Sequence, residues 1–210
     1  MKKLIVSLVA SLLVALLGII GLNIFKNAGP RERVKAENGS KIIVEELSFY
    51  KGSDKIFGKV YKPADEKGNF PDSLGARPVV VFFHDPMKSS YPESFIKSLA
   101  PQGLVGFTAA IHGKEKEVEF LVKKIGKEKF ADSDRIYLVS DTACSEVVVK
   151  AAVKLKGAAA GLVLIEPELS EKTTSALDRL KYETLTIDAS KKASAKTETL
   201  DYLELMGALK

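Results

Sequence analysis

Cysteine is nearly absent: the 210 residues contain one, Cys144. A lone cysteine excludes an intramolecular disulfide framework and leaves the compartment undecided. Histidine is almost as scarce, with His84, His112 and none after position 112. Two histidines with scattered acids have no recognisable metal-ligand spacing, so neither a metal site nor a cofactor is expected. No G-x-G-x-x-G follows any apolar run, and no G-x-x-x-x-G-K-[ST] occurs, which removes support for a dinucleotide or P-loop site. There is no internal repeat and no low-complexity run. A basic surface is missing too. Residues 1–35 hold six basic groups (Lys2, Lys3, Lys26, Arg31, Arg33, Lys35) against Glu32; of the chain's 32 basic and 27 acidic groups this leaves 26 of each sign. The net charge of +5 therefore comes from the flanks of one segment. Nucleic acid, which needs a concentrated basic face, is not an expected partner. The basic run Lys123, Lys124, Lys127, Lys129 reads as a solvated helix end.

The one long hydrophobic run is residues 4–25, broken by Ser7, Ser11 and Asn23. As a helix it would span roughly 33 Å, enough to cross a hydrocarbon core of about 30 Å. Lys26 would occupy the −3 position of a cut after Ala28, against the small-x-small pattern of a cleaved signal. Residues 1–27 are thus expected to be an uncleaved transmembrane signal anchor, with a cleaved peptide as the alternative. Lys2 and Lys3 favour a cytoplasmic N-terminus and a single-pass, extracytoplasmic domain, while Lys26, Arg31, Arg33 and Lys35 pull the other way. Residues 28–40, with Gly29, Pro30 and Gly39 and no hydrophobic period, read as a linker. Residues 41–210 are one domain's worth of chain.

Within that domain, residues 42–50 and 55–61 flank the turn sequence KGSD and predict an antiparallel hairpin. From residue 78 on, strands and helices alternate. Residues 78–83 (PVVVFF), 104–110, 136–139, 160–165 and 184–188 read as strands, the first of them a run buried on both faces. Residues 92–99, 115–125, 146–155, 170–180 and 195–209 read as helices, with Val118, Leu121, Val122 and Ile125 at i, i+3, i+4, i+7. The pattern predicts an α/β fold with a mostly parallel central sheet flanked by helices, whose functional loops follow the carboxyl ends of the strands. Those loops carry His84, Asp85, His112, Asp141, Thr142, Glu166 and Asp188.

The stretch at 131–145, ADSDRIYLVSDTACS, has the strand–turn–helix layout of a nucleophile elbow, usually G-x-S-x-G. It resembles the D-x-D-R-I-x-L-V-G-H-S-x-G-G run of the α/β-hydrolase family, in particular dienelactone-hydrolase-like and small peptidase-like members. KPADEKG, RPVVVFFHD, QGLVGFTAA and GLVLIEP are similar to its other strands and loops, in order, over about residues 42–190. The resemblance implies a hydrolase fold, but the catalytic positions depart from it. Thr142 stands at the nucleophile, Ser140 and Cys144 at the glycines, and Asp85 where the oxyanion loop has glycine, a carboxylate that would repel developing negative charge. No acid stands near Lys192, where the family's is expected, and no histidine follows.

Losing members of such a unit costs about 10⁴–10⁶ in kcat. A substitute triad would pair Thr142 with His112 or His84, oriented by Glu166 or Asp188. Cys144, near a helix start, is the other candidate nucleophile, against its reading as a small buried hydrophobe. The expectation is a membrane-anchored, non-catalytic binding or scaffold domain whose small-molecule or protein partner occupies an edge of His84, Asp85, Asp141, Glu166 and Asp188. The alternative is a hydrolase of esters or peptides using Thr142 or Cys144.

Overall fold

The computed structural model describes residues 28–36, 39–51, 54–71, 75–87, 93–180, 183–188 and 194–209. The expected anchor lies outside them; among the described residues no helix is long and apolar enough to cross a membrane.

Eight strands form one sheet: β1 (Ala28–Lys35), β2 (Lys41–Lys51), β3 (Asp54–Pro63), β4 (Arg77–His84), β5 (Val105–Ala110), β6 (Ala131–Ser140), β7 (Gly161–Ile165) and β8 (Thr184–Ile187). Their spatial order is β1-β2-β3-β5-β4-β6-β7-β8. β1, β2 and β3 pair antiparallel, and β3 joins β5 antiparallel. β5, β4, β6, β7 and β8 are parallel, as the alternation of apolar runs with helical periods requires. The helices are α1 (Glu93–Lys97), α2 (Glu115–Ile125), α3 (Thr142–Leu155), α4 (Glu171–Leu177) and α5 (Ala195–Leu205), with a 3-10 turn at Ala100–Gln102.

β4 is buried on both faces. Val79, Val81 and Phe83 enter the layer under α2 and α3 with Val118, Leu121 and Val148. Val80 and Phe82 enter the layer under α1 and α5 with Phe95, Ile96 and Leu203. α1 lies so close on β5 that a Cβ at Gly106 would come within 2.5 Å of Ile96 Cγ2.

Two expectations are corrected. Residues 28–35 are a strand rather than part of a linker. An edge strand needs only main-chain bonds on one side, so it carries no apolar alternation, and its exposed Arg31, Glu32, Arg33 and Lys35 suit an edge that must not pair further. Arg31 Nε also lies 2.5 Å from Glu45 Oε1. Secondly, α3 begins at Thr142 rather than 146. Asp141 is its N-cap, and the small residues read as a turn are its first turn. The Ser145 hydroxyl donates to the Thr142 carbonyl at 3.0 Å.

One row of paired residues crosses the sheet: Ala28, Leu47, Gly58, Ala109, Phe83, Ser140, Leu164 and Thr186. His84, Asp141 and Glu166 lie one or two residues past it, at the carboxyl edge of the parallel strands.

Candidate functional site

Along β4 the side chains alternate, so His84 falls on the face of Val80 and Phe82 and stacks on Phe82, with ring centroids 6.3 Å apart and planes 24° from parallel. That is the α1 face. Thr142 opens α3, which packs on the other face. Among the described residues no hydrogen bond joins the Thr142 hydroxyl to His84 or His112. Burial holds the His84 imidazole below its ordinary range, while the Asp141 carboxylate and then the Asp85 backbone and side chain pull it back upward. The carboxylates that act on His84 are therefore those of Asp141 and Asp85, with Glu166 and Asp188 not among them. Glu166 follows β7 at φ +50°, its N–H donating to Ile187 O at 2.7 Å; Asp188 follows β8 and is exposed.

His112 is exposed beyond β5. Its backbone N–H donates to Glu117 Oε2 at 2.8 Å, fixing the entry to α2. Cys144 is 2% exposed within the core between β6 and α3, so a reagent has little access to the thiol. At the elbow, Ser140 Oγ and Asp141 Oδ1 are buried without a hydrogen-bond partner among the described residues. The loop after β4 offers little to an oxyanion. Pro86 has no N–H, and the Met87 N–H donates to Asp85 Oδ1 at 2.8 Å. The Asp85 carboxylate thus occupies one of the backbone donors of this loop. No three His, Cys, Asp or Glu side chains among the described residues assemble as metal ligands.

What the edge does contain is a cleft of about 320 Å³ beside His84, on the α1 face, at the low end of the range of small-molecule sites. Its floor is Phe82, Ile96 and Ala110; its walls are Phe57, Lys59 and Tyr61 of β3, Thr108 of β5 and Glu93 of α1. The Tyr61 hydroxyl donates to Glu93 Oε1. This bond, opposed by burial and aided by Lys59 and Lys97, holds the Glu93 carboxyl below its usual range. Burial, then Glu93, pushes the Tyr61 phenol well above its ordinary value. Lys59 Nζ lies 3.8 Å from Glu93 Oε1 and Lys97 Nζ 3.7 Å. Of the residues singled out from sequence, only His84 lines this cleft. Tyr61 and Glu93 escaped because the pair is 32 residues apart; the hint was Lys55, Phe57, Lys59 and Tyr61 alternating along one face of β3.

The central parallel strands, the antiparallel N-terminal hairpin and the strand–turn–helix at Asp141 make this the α/β-hydrolase fold. No protein-family model and no curated protein sequence matches the chain. Solved structures do. One is a candidate dipeptidyl aminopeptidase IV from Bacteroides ovatus (TM-score 0.60, 10% identity, 84% of this chain, 43% of that one). Another is a dienelactone hydrolase-like promiscuous phosphotriesterase from metagenomic libraries (TM-score 0.60, 12% identity, 80% of this chain, 99% of that one). A third is a cold-adapted esterase from an Arctic intertidal metagenomic library (TM-score 0.56, 12% identity, 87% and 98%). The chain spans less than half of the peptidase and nearly all of the other two. At these identities the likeness is one of fold.

Proposed function

We propose that this chain is a membrane-anchored α/β-hydrolase-fold domain that binds rather than hydrolyses, taking a small molecule in the cleft of His84, Tyr61 and Glu93. One observation carries the reading: among the described residues no hydrogen bond links the Thr142 hydroxyl to His84 or His112, and the cleft beside His84 has no Thr142 in its lining. A hydroxyl becomes a nucleophile only when a base takes its proton, and the base must sit within hydrogen-bond reach. The Asp85–Met87 hydrogen bond adds to this, since it consumes a backbone donor of the loop after β4.

The hydrolytic alternative, through Thr142 or Cys144, draws on the esterase activity of a structural neighbour and on the position of Thr142 at the start of α3. The two readings separate on the full-length protein in detergent, treated with a fluorophosphonate and with iodoacetamide and then weighed intact. Neither reagent should add mass to the folded chain, and Thr142→Ala should leave the rate on p-nitrophenyl esters at the buffer rate. A fluorophosphonate adduct on Thr142, or turnover lost in Thr142→Ala, sinks the binding reading.

A further inference from the structure

The register of the sheet fixes where the chain enters the domain. Ala28 shares its row with Gly58, Phe83 and Ser140, so β1 starts at the carboxyl edge and runs away from it. In sequence the apolar run ends at Phe25, three residues earlier. Three residues of extended chain reach at most about 11 Å, and the headgroup layer alone takes about 5–8 Å of that. The β2–β3 hairpin projects past the same row, toward the same side, by residues 48–51 and 54–57. Four residues of strand are about 13 Å. The tip therefore extends as far as the connector can stretch.

The side chains at this end suit such a position. Among the described residues, the exposed large hydrophobics are Tyr50, Phe57, Met87, Val153 and Leu205. The first three lie at the carboxyl edge; Val153 and Leu205 lie toward the far ends of α3 and α5. Tyr50 and Phe57 are diagonal neighbours on one face of the hairpin, and Lys55 Nζ sits 3.9 Å from the Phe57 ring centroid. Aromatic rings beside lysine are what a water–lipid boundary accommodates, the ring in the headgroup layer and the ammonium at its surface. Asp141, Glu166 and Asp188 sit on the opposite half of the edge, beyond β4.

We propose that the β2–β3 hairpin tip docks on the surface of the bilayer that holds the chain's own N-terminal run, so that the carboxyl edge and its cleft face lipid. This rests on the anchor reading given above. The occupant is the bilayer surface, and the cleft then opens toward amphiphiles that partition there.

The chain contains no tryptophan, so a single introduced one reports alone. Full-length Phe57→Trp, Tyr50→Trp and Leu205→Trp, each at an exposed position, are reconstituted into phosphatidylcholine liposomes with and without dibrominated phosphatidylcholine. Emission of the two hairpin probes should fall by about half with the brominated lipid, as for a ring at the headgroup–acyl boundary, and that of Leu205→Trp should not change. Hairpin probes that behave like Leu205→Trp overturn the docking. Probes shielded from aqueous acrylamide but untouched by brominated lipid overturn it in favour of a second copy covering the tip. Alkaline carbonate extraction of the same liposomes separates the two levels. Release of the chain removes the anchor and the docking together; retention with unquenched probes removes the docking alone.

Discussion

His84 shows how one side chain's placement decides chemistry. Strand alternation sets it on the α1 face, burial lowers its pKa, and Asp141 moderates that shift without reversing it. The imidazole is more easily protonated in the unfolded chain than in the folded one, so the unfolded state binds more protons as pH falls below about 6.5. Stability should be complete above that value and decline as pH falls toward the folded-state pKa. His84→Gln should flatten the dependence over this window, measured as Tm at pH 7.5, 6.5 and 5.5; an unchanged slope in the variant rules His84 out as its source. Cys144, in contrast, is buried in the core. Small and apolar, it fits the packing of α3 on β6, which its spacing from the nucleophile position could not disclose.

At the scale of elements, α4 hangs on one carboxylate. Glu146 of α3 accepts from Lys150, with Nζ 2.5 Å away, from Thr173 Oγ1 at 2.7 Å, and from the Ser170 hydroxyl and N–H at 2.9 and 3.0 Å. Lys150 first, then Thr173 and Ser170, hold its carboxyl down at about 2. A depressed carboxyl stabilises the fold above its unfolded pKa of about 4.3 and loses that contribution as pH falls toward the folded value. Between pH 4.5 and 2 the backbone amides of α4 should exchange with deuterium sooner than those of β4. Glu146→Gln should bring the same exposure at pH 6; protection equal to wild type there would refute the role. The N-terminal hairpin is held differently, through buried Lys62 and Glu45, 2.6 Å apart, with Lys62 Nζ 5.1 Å from the Phe130 ring centroid. Glu45→Ala removes the carboxylate hydrogen-bonded to a buried ammonium and should cost about 3 kcal/mol in urea unfolding, whereas Glu45→Leu with Lys62→Met should cost far less. A double variant as unstable as the single would mean that volume, not charge, matters at this site.

For the whole molecule, the sequence made the parallel half of the sheet legible, because strands buried on both faces must be continuous apolar runs and little else looks like PVVVFF. It made α2 legible to the residue, through Val118, Leu121, Val122 and Ile125. Two features were opaque for opposite reasons. β1 is held by main-chain bonds and Arg31, so its side chains carry no pattern to read. The cleft is made by residues from four strands and a helix, and no local window holds Tyr61, His84 and Glu93 together. The elbow was legible as a layout and misleading in detail, since residues small enough for a sharp bend are also small enough for a helix's first turn.

The direction of β1 has a mechanical meaning. A pull delivered at residue 28 along the strand axis, outward past the carboxyl edge, loads the β1–β2 ladder in shear, so that its rungs stretch together instead of parting one by one. A domain suspended this way resists detachment at its leash far better than one gripped across the ladder. Optical-tweezer traces with handles at residues 28 and 209 should yield at higher force than traces with handles at residues 28 and 48, which part the open end of the same ladder and unzip it.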